Sequence, residues 1–456
     1  MTYDESVRAL LALGRELASP QQAHVQKFGL RNIAELSGAL GNPHLRIPCV
    51  HIAGTNGKGS TAAMLDSIVR AAGIRSGLYT SPHLERINER IRIDGADISD
   101  EAFAAAWTRV LAAIEGLLAS GKLSAHPTYF ECITALAFVA FVESGVGFAV
   151  YEVGLGGRLD STNIVRPEVA IITSIDFDHE SFLGHSIREI AGEKAGIIKA
   201  GALVVSSVER TEARAVIAQR CEEMGARLVE IDEAWRIESI EDSDGFYRAS
   251  VTAKESQEHF SIAPPLAGRF QVRNALAAAT AARLLASRGI SITNEAIERG
   301  IKTVRWPGRL ERLSEHPAVY LDGTHNPAGA KELLKFWEEN FAGRRIVLVY
   351  GAMRDKAVDE IAGLLFPAAD FVVLTEPIQP RAISAPLLAE MTRHLAKKTT
   401  VIADPAKALE HAIESASAND AVFATGSLYL VGDLRAYWAT RPLPQQSKPG
   451  RTMIRI

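Results

Sequence analysis

"HIAGTNGKGSTAAML", residues 51–65, carries the reading on which the fold turns. Residues 48–53 form an apolar run that reads as a buried strand. Residues 60–72 read as a helix. Between them lies Gly54-Thr55-Asn56-Gly57-Lys58-Gly59. Glycines let backbone N–H groups turn inward around an anion, and the helix N-terminus adds partial positive charge. Lys58 supplies a full charge. A tight turn with an exposed lysine is the bland alternative. The order strand, loop, lysine, hydroxyl, helix favours a phosphate site. The loop departs from G-x-x-x-x-G-K-[ST]: five places before Gly57 stands Ile52, and Gly59 follows Lys58. The hydroxyl nearest the lysine is then Ser60, so a nucleotide-bound metal must lean on ligands elsewhere.

Working outward, strands and helices alternate, the pattern of α/β layers. "IPCVHIAG", "SGLYTS", "FAVYEVG", "EVAIITSI" and "ALVVSS" are continuous apolar runs, as parallel strands covered on both faces require. Helical periodicity fills 61–72 and 101–118. Between 227 and 262, "RLVEID", "GFYRASVTA" and "HFSIA" predict a small antiparallel addition, followed by an Ala-rich helix over 274–289. The helix-breaking Pro307 and Gly308 mark a reset in composition. "AVYLDG", "RIVLVYG", "DFVVLTE", "TTVIAD" and "AVFATG" then give five buried strands of a second doubly wound unit. The expected fold is α/β: a P-loop ATPase-type doubly wound domain with a small antiparallel addition over 1–304, a linker over 305–311, and a Rossmann-like α/β domain over 312–456.

The 456 residues carry a net charge of −4, which gives no global attraction to nucleic acid or acidic membrane. The tail from Lys448 to Ile456 is only sparsely basic. Cys49, Cys132 and Cys221 form no CxxC pair and are read as buried thiols in a reducing cytosol. The N-terminal "MTYDESVRALLALGRELASP" reads as an amphipathic helix, not a signal peptide. The most apolar run, "ALAFVAFV", is far shorter than the ~20 residues that span a bilayer. A cytoplasmic monomer acting on small molecules, without nucleic acid or membrane, is expected.

Candidate metal ligands stand at strand ends. Glu152 closes an apolar strand beside a glycine-rich turn, where a group holding Mg²⁺ usually sits. Asp176, Asp178 and His179 follow a second strand. Ser81 follows a third. Glu193, Lys194 and Lys199, in "IAGEKAGIIKAG", read on spacing alone as a solvated helix face.

Taken together, "AGTNGKGS", "YTSPHL", "TYFE", "EVGLGGRLDSTN", "EKAGIIK", "WPGRLE", "LDGTHNP" and "TGSLYLVG" resemble the folylpolyglutamate synthase and dihydrofolate synthase branch of the Mur ligase superfamily. The resemblance runs from about Gly29 to Arg435, and Gly59 is similar to a marker of that branch. It implies an ATP-dependent amide ligase. A substrate carboxylate takes the γ-phosphate of ATP, and the amine of L-glutamate displaces phosphate from the acyl phosphate. It implies ATP as co-substrate and two Mg²⁺ ions. By motif, Gly57, Lys58, Gly59 and Ser60 hold phosphates, with Asn274, Arg309 and Asp322 elsewhere on the nucleotide. Asn274 is matched to the residue that opens its helix. Ser81, Glu152, His179 and a carbamylated Lys194 hold metal. Gly29, Leu30 and Arg31, Thr128, Tyr129, Phe130 and Glu131, and Leu159, Asp160 and Ser161 line the pterin and folate side. His325 and Ser427 sit by the glutamate, and Asp160 orients the amine. The resemblance covers two reactions: dihydropteroate plus glutamate, and extension of the folate glutamate tail. Domain closure about Trp306-Pro307-Gly308 is expected, because an acyl phosphate must be kept from water.

Three other readings fit less well. A cell-wall Mur ligase carries a further N-terminal substrate domain, for which the fifty residues before the loop leave no room. A GTPase needs N-K-x-D, which is missing. A non-catalytic nucleotide-binding regulator does not need Lys58, Glu152, His179 and Lys194 together.

Overall fold

The computed structural model describes residues 1–14 and 29–441. The basic tail and the opening residues of "VQKFGLRNI" therefore lie outside the described residues. The larger sheet has eight strands: β1 (Cys49–Ala53), β2 (Ser76–Tyr79), β3 (Ile91–Ile93), β4 (Ala96–Asp97), β5 (Phe148–Glu152), β6 (Val169–Ile172), β7 (Leu203–Ser206) and β8 (Arg227–Glu230). Their order is β4-β3-β2-β5-β1-β6-β7-β8, parallel from β2 to β8, with β3 and β4 an antiparallel edge.

The continuous apolar strands are explained by their two covered faces. Val50 and Ile52 pack toward the helices Lys58–Ala71, Phe270–Ser287 and Asn294–Thr303. Cys49 packs the other way, toward Asp100–Ala119 and Tyr129–Glu143. By length and composition Asp100–Ala119 is apolar enough to cross a membrane. Its Phe103, Trp107, Val110 and Ile114 are buried in that second core layer. The three cysteines are free and buried.

β9 (Trp235–Ser243), β10 (Phe246–Ala253) and β11 (His259–Ile262) form a separate antiparallel sheet against the Phe270–Ser287 helix. Trp235 fastens it by donating its indole N–H to Thr280 Oγ1 at 2.8 Å. The antiparallel addition therefore begins at Trp235. "RLVEID" instead supplies β8, which runs parallel to β7 as the sheet's edge. None of its four residues is fully buried, as suits an edge strand. The Ala-rich helix opens at Phe270, four residues before Asn274, because Gln271 and Val272 are buried and anchor its first turn.

The C-terminal sheet has six strands, one more than expected: β12 (Glu311–Glu315), β13 (Ala318–Leu321), β14 (Ile346–Tyr350), β15 (Phe371–Leu374), β16 (Thr399–Val401) and β17 (Ala421–Thr425). They are ordered β12-β13-β17-β14-β15-β16. The added β12 is an antiparallel edge of charged residues, half-exposed on its outer side, which hid it among loop-like sequence. The fold is the expected mixed α/β one, with two largely parallel sheets.

Candidate active site

Consecutive β1 and β2 are not neighbours; β5 lies between them, and β6 lies on the other side of β1. The chain thus reverses its winding beside β1, and a crevice opens beyond the carboxyl ends of the central strands. Gly54 follows β1, Glu152 ends β5, Ser81 follows β2, and Asp176 to His179 follow β6. Residues far apart in sequence meet there because the sheet places its strand ends together.

Gly57 caps the Lys58–Ala71 helix at φ +86°. A β-carbon there would lie 2.5 Å from Asn274 Oδ1. Lys58 Nζ reaches back to the carbonyls of Gly54 and Thr55 at 2.9 and 3.0 Å. Lys194 Nζ donates to the same Gly54 carbonyl at 2.9 Å. Two ammonium groups therefore converge at the foot of the loop. Burial lowers both pKa values, that of Lys194 to about 7, and the charge of Lys58 adds to the shift at Lys194. The solvated-face reading of Lys194 is corrected: it is 3% exposed. The loop is stapled to the end of β6 by Asn56 N–H to Ser174 Oγ at 2.9 Å and Thr173 Oγ1 to the Asn56 carbonyl at 2.7 Å. Ser60 is buried, with its Oγ 3.4 Å from Gln271 Nε2, and Gln271 accepts from Asn274. Gly59 has a steric reason: a β-carbon there would sit 3.1 Å from the Trp306 ring.

Glu152 is buried and accepts from the Ser81 N–H at 3.2 Å. Burial raises its pKa against the opposing pull of Lys58, the Ser81 N–H and Arg309. Across the crevice, Lys356 lies 3.3 Å from Asp178 Oδ1 and 3.2 Å from His179 Nε2. An ammonium has no lone pair, so Nε2 is the acceptor and His179 is neutral. Burial takes its pKa to about 4. Burial alone would raise Asp178, but Lys356 and its neighbours carry it well below the carboxylate range. Asn326 pairs with Asn56 through both amides, at 2.9 and 3.1 Å. The C-terminal unit thus touches the Gly54–Gly59 loop directly.

Arg309 and Asp322 come together at the junction. Asp322 accepts from the Leu310 and Thr324 N–H groups at 2.9 and 3.0 Å, and its charge acts on buried Arg309. His325 donates from Nδ1 to the Gly323 carbonyl at 2.7 Å. Burial, then Lys356, lowers its pKa to about 3. Ser427 caps the Leu428–Thr440 helix.

The three stretches on the other side of the crevice also meet. Thr128 and Glu131 form a reciprocal capping box for the Tyr129–Glu143 helix. Glu131 also accepts from the backbone of Ile33, just past Gly29, Leu30 and Arg31. Gly29 and Arg31 are exposed, and Leu30 is half-buried. Tyr129 belongs to the core, 5% exposed. Phe130 is only partly buried and lies so close to Gly154 that a β-carbon there would meet its ring at 2.3 Å. The turn after Gly154 carries half-buried Leu159 and Ser161 around buried Asp160. Asp160 accepts from the Leu155 N–H at 2.9 Å and the Thr162 N–H at 3.0 Å.

The residues fit a hard cation. Among the described residues no three His, Cys, Asp or Glu side chains gather as a metal cage. Mg²⁺ does not ask for one: it is bound by one or two carboxylates, waters and the substrate's phosphates. Glu152 supplies a buried carboxylate and Ser81 a hydroxyl beside the Gly54–Gly59 loop, and His179 would supply a neutral nitrogen once Lys356 releases its Nε2.

Two family models match the chain: the Mur ligase middle domain over residues 52–282 and the Mur ligase, glutamate ligase domain over residues 308–428. Dihydrofolate synthase/folylpolyglutamate synthase of Bacillus subtilis is 38% identical over 90% of this chain and 94% of its own. The chain belongs to the dihydrofolate synthase/folylpolyglutamate synthase family of Mur ligases. Members of this family are ATP-dependent ligases that form amide bonds, and so is this protein. Among solved structures, Mycobacterium tuberculosis folylpolyglutamate synthase complexed with ADP superposes with a TM-score of 0.86 at 32% identity, covering 96% of this chain and 99% of that one. Escherichia coli FolC in complex with DHPP and ADP gives 0.82 at 29% identity, covering 96% and 97%.

Sequence reasoning passed over Lys356 and the Asn56–Asn326 pair. Lys356 had a signal, since it lies in the polar loop just past the end of β14. The asparagine pair had none, because its partners are 270 residues apart.

Proposed function

We propose that this ligase joins L-glutamate to dihydropteroate and also extends the glutamate tail of reduced folate, each through an acyl phosphate. A carboxylate oxygen of the acceptor bonds to the γ-phosphorus of ATP as the bond to the bridging oxygen breaks and ADP leaves. The glutamate amine then bonds to the acyl carbon, phosphate departs with the former carboxylate oxygen, and the amine gives up a proton. The observation that carries this reading is the convergence of Lys58, Lys194, Glu152, His179 and Lys356 on one crevice at the strand ends. An anionic carboxylate approaches an anionic phosphate only where cationic and N–H groups lie between them.

In this reading Gly57, Lys58, Gly59 and Ser60 hold the phosphates, and Asn274, Arg309 and Asp322 the rest of the nucleotide. Ser81, Glu152, His179 and a carbamylated Lys194 would hold Mg²⁺, which supplies charge neutralisation at the phosphates. The buried Lys194 amine, with its pKa near 7, supports carbamylation, which requires an unprotonated nitrogen. Leu30, Phe130, Leu159 and Ser161 line the acceptor side. Gly29, Arg31, Thr128, Tyr129 and Glu131 shape it from the backbone, the cap and the core. His325 and Ser427 face the glutamate. Asp160, with both oxygens bound inside its own turn, acts on the amine by shaping the turn. The DHPP and ADP of the E. coli complex support dihydropteroate and ATP as substrates. We take residues 1–304 and 312–456 as two domains joined by 305–311, acting as a cytoplasmic monomer. The net charge of −4 supports a protein that engages neither nucleic acid nor membrane.

The test offers the purified protein ATP, Mg²⁺ and L-glutamate with dihydropteroate or tetrahydrofolate. Both should give ADP and a product heavier by one glutamate. Oxygen-18 placed in the acceptor carboxylate should reach the released phosphate. Ligation without that transfer would rule out the acyl phosphate.

A further inference from the structure

His51 sits in the middle of β1, fully buried, and is no part of the phosphate loop that follows it. Its Nε2 lies 2.7 Å from Thr162 Oγ1. The Thr162 hydroxyl and N–H both meet Asp160 Oδ1, while Asp160 Oδ2 takes the Leu155 N–H. The carboxylate accepts on both oxygens, so the single hydroxyl proton of Thr162 goes to it. Thr162 Oγ1 then accepts from His51, which fixes the imidazole with its proton on Nε2. Nδ1 is left buried without a partner. An apolar side chain would fill this place without that orphaned nitrogen, so bulk alone does not account for a histidine here. From a second side Lys199 Nζ donates to the Asn163 backbone carbonyl and Oδ1 at 2.8 and 2.7 Å. A buried polar device and a half-buried one thus hold the 158–163 segment.

We propose that His51 is a positioning residue for acceptor binding, acting through Thr162 on Asp160 and thereby on the 154–161 turn. This rests on the assignment of Leu159, Asp160 and Ser161 to the acceptor side. The turn also carries Gly154, against which the Phe130 ring lies. The phosphate loop is held separately, by Thr173 and Ser174. Loss of the His51 donor should therefore loosen acceptor binding and spare ATP.

The experiment measures KM for ATP and for whichever of dihydropteroate and tetrahydrofolate the wild type turns over, by ADP release, with melting curves to confirm folding. His51→Leu should raise the acceptor KM about tenfold, the effect of one lost buried hydrogen bond, and move the ATP KM less than about twofold. His51→Gln, which can place an N–H near the position of Nε2, should restore most of the loss. Thr162→Val should match His51→Leu, Thr162→Ser should behave as wild type, and the double variant His51→Leu/Thr162→Val should be no worse than Thr162→Val alone. An unchanged acceptor KM in His51→Leu, both KM values rising together, or no rescue by glutamine each overturn the proposal. Should His51→Leu fail to fold, the Thr162→Val and Thr162→Ser pair decides in the same way. A wild type that turns over neither acceptor overturns the substrate reading and this proposal with it. That failure shows in the wild type alone, so the two are told apart.

Discussion

Lys58 and Lys194 share one carbonyl, yet the site asks different things of them. Lys58 stands at the helix N-terminus, where in the proposed function its charge and the loop N–H groups would act together on phosphate. Lys194 is buried beneath the loop, where a free ammonium is costly and a carbamate would turn it into an oxygen ligand. Lys58→Ala should lower kcat by about 10²–10³-fold, the usual effect of removing one group aimed at developing charge. Lys194→Ala should lose most activity as well. Native mass spectrometry of the wild type should show one added carbon dioxide, absent from Lys194→Ala; normal turnover by that variant would end the carbamate role. Lys58 was legible from its spacing to the glycines. Lys194 was not, since in a one-dimensional reading "GEKAG" has the look of a solvated helix end. Only the docking of the Ile187–Ala195 helix under the loop buries it.

At the scale of elements, the strand-loop-helix unit from β1 through the Lys58–Ala71 helix is the most locally specified part of the molecule. Its loop still depends on distant partners. Gly57 combines a left-handed backbone with the close approach of Asn274. Gly57→Ala should cost about 1–3 kcal/mol of stability from the backbone alone, read by urea unfolding. It should also weaken ATP binding through displacement of Asn274, and a variant as stable and as tight-binding as wild type would contradict this geometry. The two strands misread in sequence have one cause. β8 and β12 are half-exposed edge strands with mixed composition, whose pairing is decided by the neighbouring strand and not by their own pattern. The Phe270–Ser287 helix starts early because its first turn is buried, and propensity in the sequence carries no trace of that burial.

For the whole molecule, the two sheet-bearing units meet through Asn56–Asn326, Lys356 with Asp178 and His179, and Arg435–Glu85 at 3.0 Å. Lys356 and Asp178 are each about a tenth exposed, so their pair is little screened. Solution scattering should show a smaller radius of gyration with an ATP analogue and folate bound than without. Lys356→Ala should enlarge the free protein by leaving Asp178 and His179 without their bridge. Identical curves with and without ligands, or for variant and wild type, would remove closure or the bridge respectively.

The sequence by itself determined the α/β class, the strand-loop-helix unit around Lys58 and the strand-end carboxylate, because each follows from short-range spacing and from the need of parallel strands to be apolar on both faces. Tertiary structure alone decided which strand ends adjoin, and so which residues share the crevice. It buried Lys194, brought Lys356 across from the second sheet, set Trp306 against Gly59 and tied His51 to Asp160. These are contacts between segments far apart in the chain, and strand order is set by how whole layers pack, which no local pattern encodes.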